Sequence, residues 1–141
     1  MKGITVAIAL TTLFILTLNA RSEPFDANGN QTQIIAKGAP SGCPFRRFCG
    51  CALAQFLSLD NRDGRYNLAW NWQRLHPRTT ARPGAAAVRH GHVMLLVAPT
   101  QKDGWFVVRD YNSGGGKSRI HVRSVRGFVF VDPSQRLTKE G

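Results

Sequence analysis

Pro83-Gly84 divides the sequence into two stretches with different periods, and this division does most to limit what the chain can fold into. Upstream, Ala52, Leu53, Phe56 and Leu57 recur at helical spacing and predict a short helix over about 50–58, its N-terminus at Cys49-Gly50-Cys51. The stretch Asp60-Asn61-Arg62-Asp63-Gly64 is turn chemistry, with Gly64 free to take positive φ. A second helix is expected over about 66–75, with Leu68, Trp72 and Leu75 sharing a face until Pro77 stops it. Residues 76–84 read as an extended connector. Downstream the β-formers take over. Strands are expected over 85–89, 92–97, 105–112, 118–125 and 128–131, separated by a kink at His90-Gly91, a turn over 99–104 and the break Ser113-Gly114-Gly115-Gly116. Helices first and an antiparallel β-meander second indicate an α+β domain.

The N-terminus is a different kind of segment. Lys2 precedes an apolar run from Ile4 to Leu18 that ends at Asn19-Ala20, which reads as a signal peptide over 1–20 and implies a secreted or periplasmic product. The run is shorter than the roughly 20 apolar residues that cross a bilayer, and no later segment offers a stable membrane span. Residues 21–38 are mostly polar and read as a disordered or loose arm, 39–135 as the folded domain and 136–141 as a tail. The formal charge of +11 concerns partners and not fold. With export expected, and without the basic and aromatic interleaving of an RNA-binding sheet, nucleic acid is not the expected partner; anionic wall polymers or phospholipid head groups fit better. A monomer is expected.

Cys43, Cys49 and Cys51 lie close together, and three thiols cannot all pair. Either Cys43–Cys51 or Cys43–Cys49 satisfies the sequence. A thiolate is favoured at a helix N-terminus and beside cationic groups, and Cys49 and Cys51 open the first helix just after Arg46 and Arg47. A general base for such a thiol is supplied by His92. If the loop spans 99–104, residues whose numbers sum to about 203 face each other, which sets His92 opposite Tyr111. A register one step off brings Asp110 or Asn112 opposite, and these two point the same way. Either could accept a hydrogen bond from Nδ1 of the imidazole and orient it. A zinc site from Cys49, Cys51, His90 and His92 is the competing arrangement, but its Cys-x-Cys and His-x-His gaps are shorter than those of structural zinc sites. No cofactor or metal is expected.

Phe48-Cys49-Gly50-Cys51, the segment Pro83-Gly84-Ala85-Ala86-Ala87-Val88, then Gly91-His92-Val93 and Asp110-Tyr111-Asn112-Ser113-Gly114-Gly115 together resemble the landmarks of the CHAP superfamily. These are the cysteine- and histidine-dependent amidohydrolases and peptidases, related to the NlpC-type wall hydrolases. The resemblance covers about residues 43–133. It implies a papain-like α+β fold, with short N-terminal helices on a small antiparallel meander, and hydrolysis of amide bonds in peptidoglycan or a related anionic wall polymer. It makes Cys49 the nucleophile, His92 the base, and Asp110 and Asn112 the orienting pair, with Asn112 the favoured member. The family commonly has an aromatic shortly after the nucleophile, where this chain has Gly50, Cys51 and Ala52, so Cys51 stays open as a competing nucleophile. Trp70, Trp72 and Tyr111 could line the cleft. The alternative of a different class is a catalytically inactive secreted binding protein on the same scaffold, in which the three cysteines form a structural knot.

Overall fold

A computed structural model of the chain describes residues 32–137. The expected signal peptide, most of the expected arm and the end of the tail lie outside the described residues. One antiparallel sheet of six strands dominates, in the order β1-β5-β4-β3-β2-β6. Its strands are β1 Gln33–Lys37, β2 Ala86–Arg89, β3 His92–Pro99, β4 Trp105–Asp110, β5 Lys117–Ser124 and β6 Val129–Val131. Against it stand two short helices, α1 Cys49–Phe56 and α2 Trp72–Leu75, the latter entered through a single 3-10 turn, Ala69–Asn71.

This corrects the papain-like α+β expectation: the molecule is mostly sheet, and its helices are too short to form a helical layer. The second helix shrinks for a local reason. Asparagine amides compete with helical backbone for hydrogen bonds. Asn61 accepts from the Tyr66 N–H at 2.8 Å and donates to Asn67 at 2.9 Å, while Asn71 donates to the Arg65 carbonyl at 3.0 Å. Leu68 is extended (φ −91°, ψ 118°) and 63% exposed, so it does not share the buried face of Trp72.

The meander is also incomplete. Strands β2 to β5 follow one another, but β6 leaves β5 and pairs with β2 on the far side, Ala86 opposite Val131 and Val88 opposite Val129. On the other edge, part of the expected loose arm is β1, paired with β5 through Gln33↔Ile120 and Lys37↔Lys117. Its alternation is weak because it is an edge strand with four of its five residues exposed.

Alternation on the central strands gives the sheet two apolar faces. Val88, Val93 and Leu95 pack with Phe48, Leu53, Tyr66 and Trp72 on the α1 side, whereas Ala87, Met94, Leu96, Phe106 and Val108 pack with Val125 and Phe128 on the other. The α1 helix presses Ala52 and Leu53 into the first cluster and leaves Phe56 half-exposed under the Arg109 guanidinium of β4, 4.1 Å from the ring centroid. No helix among the described residues is long and apolar enough to cross a membrane.

Candidate functional site

The cysteines divide as one of the two sequence options allowed. Cys43 and Cys51 form a disulfide, and Cys49 is free and buried at the first position of α1. Cys51 is thereby excluded both as nucleophile and as a zinc ligand. The bridge clips the loop before α1 to the helix itself, fixing the turn on which Cys49 sits.

Gly50 explains why the residue after Cys49 is not aromatic. A Cβ at this position would lie 2.1 Å from the Tyr66 carbonyl oxygen and 3.2 Å from the Trp72 indole nitrogen. Only glycine lets the first turn of α1 approach that backbone. The close approach seats the Cys49 end of the helix against the segment that carries Tyr66.

Helix α1 lies on β3, whose first residue is His92. A two-residue turn, His90-Gly91, joins β2 to β3, closed by the positive φ of Gly91 (76°), and it places Arg89 directly opposite His92. The Cys49 thiol lies within the influence of the His92 imidazole and of the backbone N–H groups of Val93 and Gly50, all of which favour its ionised form. His92 Nε2 lies 2.5 Å from Asp110 Oδ1, which leaves Nδ1 as the ring nitrogen not engaged by the acid. The ring is therefore turned over relative to the expected arrangement: Nε2, and not Nδ1, is held by the acid.

Asp110 ends β4 with its side chain wholly buried. Its second oxygen, Oδ2, accepts from Arg123 Nη1 at 2.6 Å and from His121 Nε2 at 2.9 Å. Both donors come from β5, two residues apart and hence on one face. The sequence reading missed them, although a signal was present. Folding the chain about the centre of Ser113–Gly116 sets Val108 opposite His121 and Phe106 opposite Arg123, as observed.

Asn112, the favoured orienting residue, is not brought to the imidazole. The strand register, Leu95↔Arg109 and Leu96↔Val108, is one step from the central sequence estimate and would extend to His92↔Asn112. The ladder stops first, because Asn112 takes φ 54° and turns the chain, its N–H reaching Ser118 Oγ at 3.4 Å. A residue in this left-handed region no longer continues the strand's alternation. The orienting role thus falls to Asp110 alone.

The electrostatics follow from this geometry. Burial opposes the Cys49 thiolate, but the hydrogen bond and charge of His92, with the two backbone N–H groups, outweigh it and hold the thiol below its ordinary range. Burial likewise opposes the charged form of His92, yet Asp110 and Cys49 raise it to about 9. Asp110, despite burial, is held well below the usual carboxylate range by His121, His92 and Arg123. The arrangement favours a thiolate beside an imidazolium, backed by a carboxylate, which is the pairing that attacks a carbonyl and protonates a leaving group.

Two clefts flank the pair and share His90 and Gly91. One, of about 560 Å³, is lined by Cys49, Arg47, Asn67, Leu68 and Trp70; the other, of about 590 Å³, by His92, Arg89, Asn112, Ser113 and Arg123. Of the aromatic cleft candidates only Trp70 lines one of them, its ring stacked on His90 at 3.8 Å between centroids. Trp72 is fully buried, and Tyr111 belongs to the core. Comparison with family models, with curated proteins and with solved structures finds no match to this chain.

Proposed function

We propose that the chain is a secreted cysteine amidohydrolase or peptidase that cleaves amide bonds, with peptidoglycan as its substrate. The observation that carries this reading is the His92 imidazole held at 2.5 Å by the wholly buried Asp110 carboxylate, beside a free Cys49 whose ionised form that imidazole favours. A histidine satisfied for structural reasons alone needs neither a free thiol beside it nor an ionised acid on one nitrogen. The local constellation supports the likeness to CHAP enzymes in chemistry, and the proposal does not draw on their fold.

In the proposed reaction the Cys49 sulfur attacks the amide carbonyl and forms an S–C bond. The C–N bond then breaks as the imidazolium of His92 gives its proton to the departing amine. Neutral His92 next takes a proton from water as that water attacks the thioester, and the acid leaves with Cys49 restored as thiolate. The backbone N–H groups of Gly50 and Val93, which favour negative charge on the sulfur, are the donors proposed for the negative oxygen that develops. Asp110 holds the ring in place and stabilises its charge. Peptidoglycan is favoured as substrate by the family likeness and by the chain's net charge of +11, which suits an anionic wall polymer.

Release of new amines from purified peptidoglycan tests the reading. Wild type is expected to be active and Cys49→Ala and His92→Ala to fall to background. The same outcome separates the hydrolase from a binding protein that has lost turnover, for which peptidoglycan would be retained on the protein but not cut. Absence of cleavage by the wild type across amide substrates, with the thiol reactive and the fold intact, would overturn the proposal.

A further inference from the structure

We propose that the cleft on the His92 side is a subsite for a carboxylate carried by the residue that supplies the leaving amine. The inference rests on the amide-hydrolase reading above and extends it to substrate class. Because His92 protonates the departing nitrogen, that half of the substrate lies against the imidazole, in the cleft of about 590 Å³ that His92 lines. The acyl half then lies in the other cleft, beside Cys49, Leu68 and Trp70.

The two clefts differ in what they present. The Cys49 side offers mostly apolar surface, with Leu68 63% exposed and the Trp70 ring stacked over His90, and a single guanidinium, Arg47. On the His92 side are two guanidiniums, Arg89 and Arg123. No carboxylate lines that cleft. The nearest acid, Asp110, is wholly buried and its oxygens are taken by His92, His121 and Arg123.

Neither arginine is fully spent. Arg123 uses Nη1 on Asp110, which leaves N–H donors on Nη2 and Nε. The Arg89 side chain makes no hydrogen bond to the described residues, and its guanidinium rests 4.7 Å from the Phe128 ring centroid, a contact that limits its wandering without consuming its donors. Arg89 stands directly opposite His92 in the β2–β3 ladder, so their side chains are neighbours on one face. The two guanidiniums that line this cleft, Arg89 and Arg123, have one carboxylate beside them, the buried Asp110, and an incoming carboxylate would balance the excess. The planar fork of a guanidinium matches a carboxylate with two parallel hydrogen bonds.

Arg89 gives the clean test, because Arg123 also holds Asp110. Stem peptides released from purified peptidoglycan, and the same peptides with their carboxylates converted to carboxamides, are offered to the full-length wild type, Arg89→Gln and Arg89→Glu. The wild type is expected to prefer the carboxylate form by about tenfold or more in kcat/KM, mainly through KM. In Arg89→Gln that ratio collapses toward one, and in Arg89→Glu it inverts. Equal use of the two forms by the wild type, or an unaltered ratio in Arg89→Gln, overturns the subsite while the hydrolase reading stands. If neither form is cleaved, calorimetric binding of the same peptides decides the subsite on its own. Carboxylate-dependent binding lost in Arg89→Gln retains it, and equal or absent binding of both forms overturns it.

Discussion

Two histidines, the partly buried His92 and the wholly buried His76, show how one side chain takes two roles according to what touches it. His76 is wholly buried between Tyr66, whose hydroxyl lies 3.1 Å from Nε2, and the Gln135 carbonyl, which accepts from Nδ1. The Tyr66 and Trp72 rings lie beside it. Burial pulls its pKa below the ordinary histidine value, and its neutral partners do not reverse this. His92 is also opposed by burial but has a carboxylate on Nε2 and a thiol nearby, and it is pushed up to about 9. Burial with an ionised partner yields a charged proton carrier, and without one yields a neutral clip that ties residues near the C-terminus to the helical region.

The contrast is broken or sharpened first by exchanging the two. His92→Gln is expected to lower amide cleavage on the order of 10⁴-fold while the protein stays folded, since the thiol loses both its ionising partner and its proton donor. His76→Gln is expected to act through stability instead. Steady-state amine release together with thermal unfolding of both variants separates the effects, and loss of turnover in a fully folded His76→Gln protein would show that the second histidine also serves the reaction.

Gly50 joins the two regions. Its backbone lies against the Tyr66 carbonyl, and the same tyrosine reaches His76 through its hydroxyl. Gly50→Ala is expected to cost about 3 kcal/mol or more, because a methyl 2.1 Å from a backbone oxygen has no flexible neighbour to displace. Urea unfolding measures it, and a loss under about 1 kcal/mol would mean that the α1 turn can draw away from Tyr66. His76→Ala is expected to cost roughly 2 kcal/mol by leaving the Tyr66 hydroxyl and the Gln135 carbonyl unpaired. That cost should be smaller at pH 6 than at pH 8, because the unfolded histidine takes up a proton near pH 6.5 that the buried, neutral one resists.

Much of the site was legible in the sequence because it depends on local rules. A cysteine opening a helix, a histidine opening a strand and an acid closing the next strand are each placed by short-range periodicity, and the hairpin arithmetic came within one step of the true register. What the sequence did not yield depended on long-range or conformational detail. Asn112 was favoured over Asp110 because nothing in its identity reveals that the chain has already turned at φ 54°. His121 and Arg123 approach Asp110 from a third strand, so finding them requires two successive registers. The helical layer was overestimated because the periodicity of Leu68, Trp72 and Leu75 carries no trace of the asparagine side chains that hold residues 61–71 in turns. The edge strand β1 was invisible for the opposite reason: its hydrogen bonds belong to β5, and its own side chains are mostly exposed.

The smallest expected effect discriminates best between a thiolate–imidazolium pair and a simple histidine–aspartate pair. The raised pKa of His92 contributes stability that is fully present below about 6.5 and is lost as pH rises through about 9. The lowered pKa of Cys49 contributes the reverse: its stability is present above the unfolded thiol value of 9.0 and is lost as pH falls through its folded value. Over the part of this range in which the folded thiol is ionised, the unfolded chain keeps one proton on the thiol and the folded pair keeps one on the imidazole, so their joint effect on stability is flat. Asp110 is ionised in both states over this range and adds no slope. In Cys49→Ala the cancellation disappears, since Asp110 still raises His92 and only the folded state binds the proton. Stability of that variant is expected to fall by about 1 to 2 kcal/mol from pH 6.5 to 9, against little change in wild type from these two groups. Urea midpoints at the two pH values, compared between the proteins, give the difference directly. An equal fall in both would mean that the Cys49 thiol keeps its proton in the folded state, leaving His92 charged by Asp110 alone and the nucleophile unactivated.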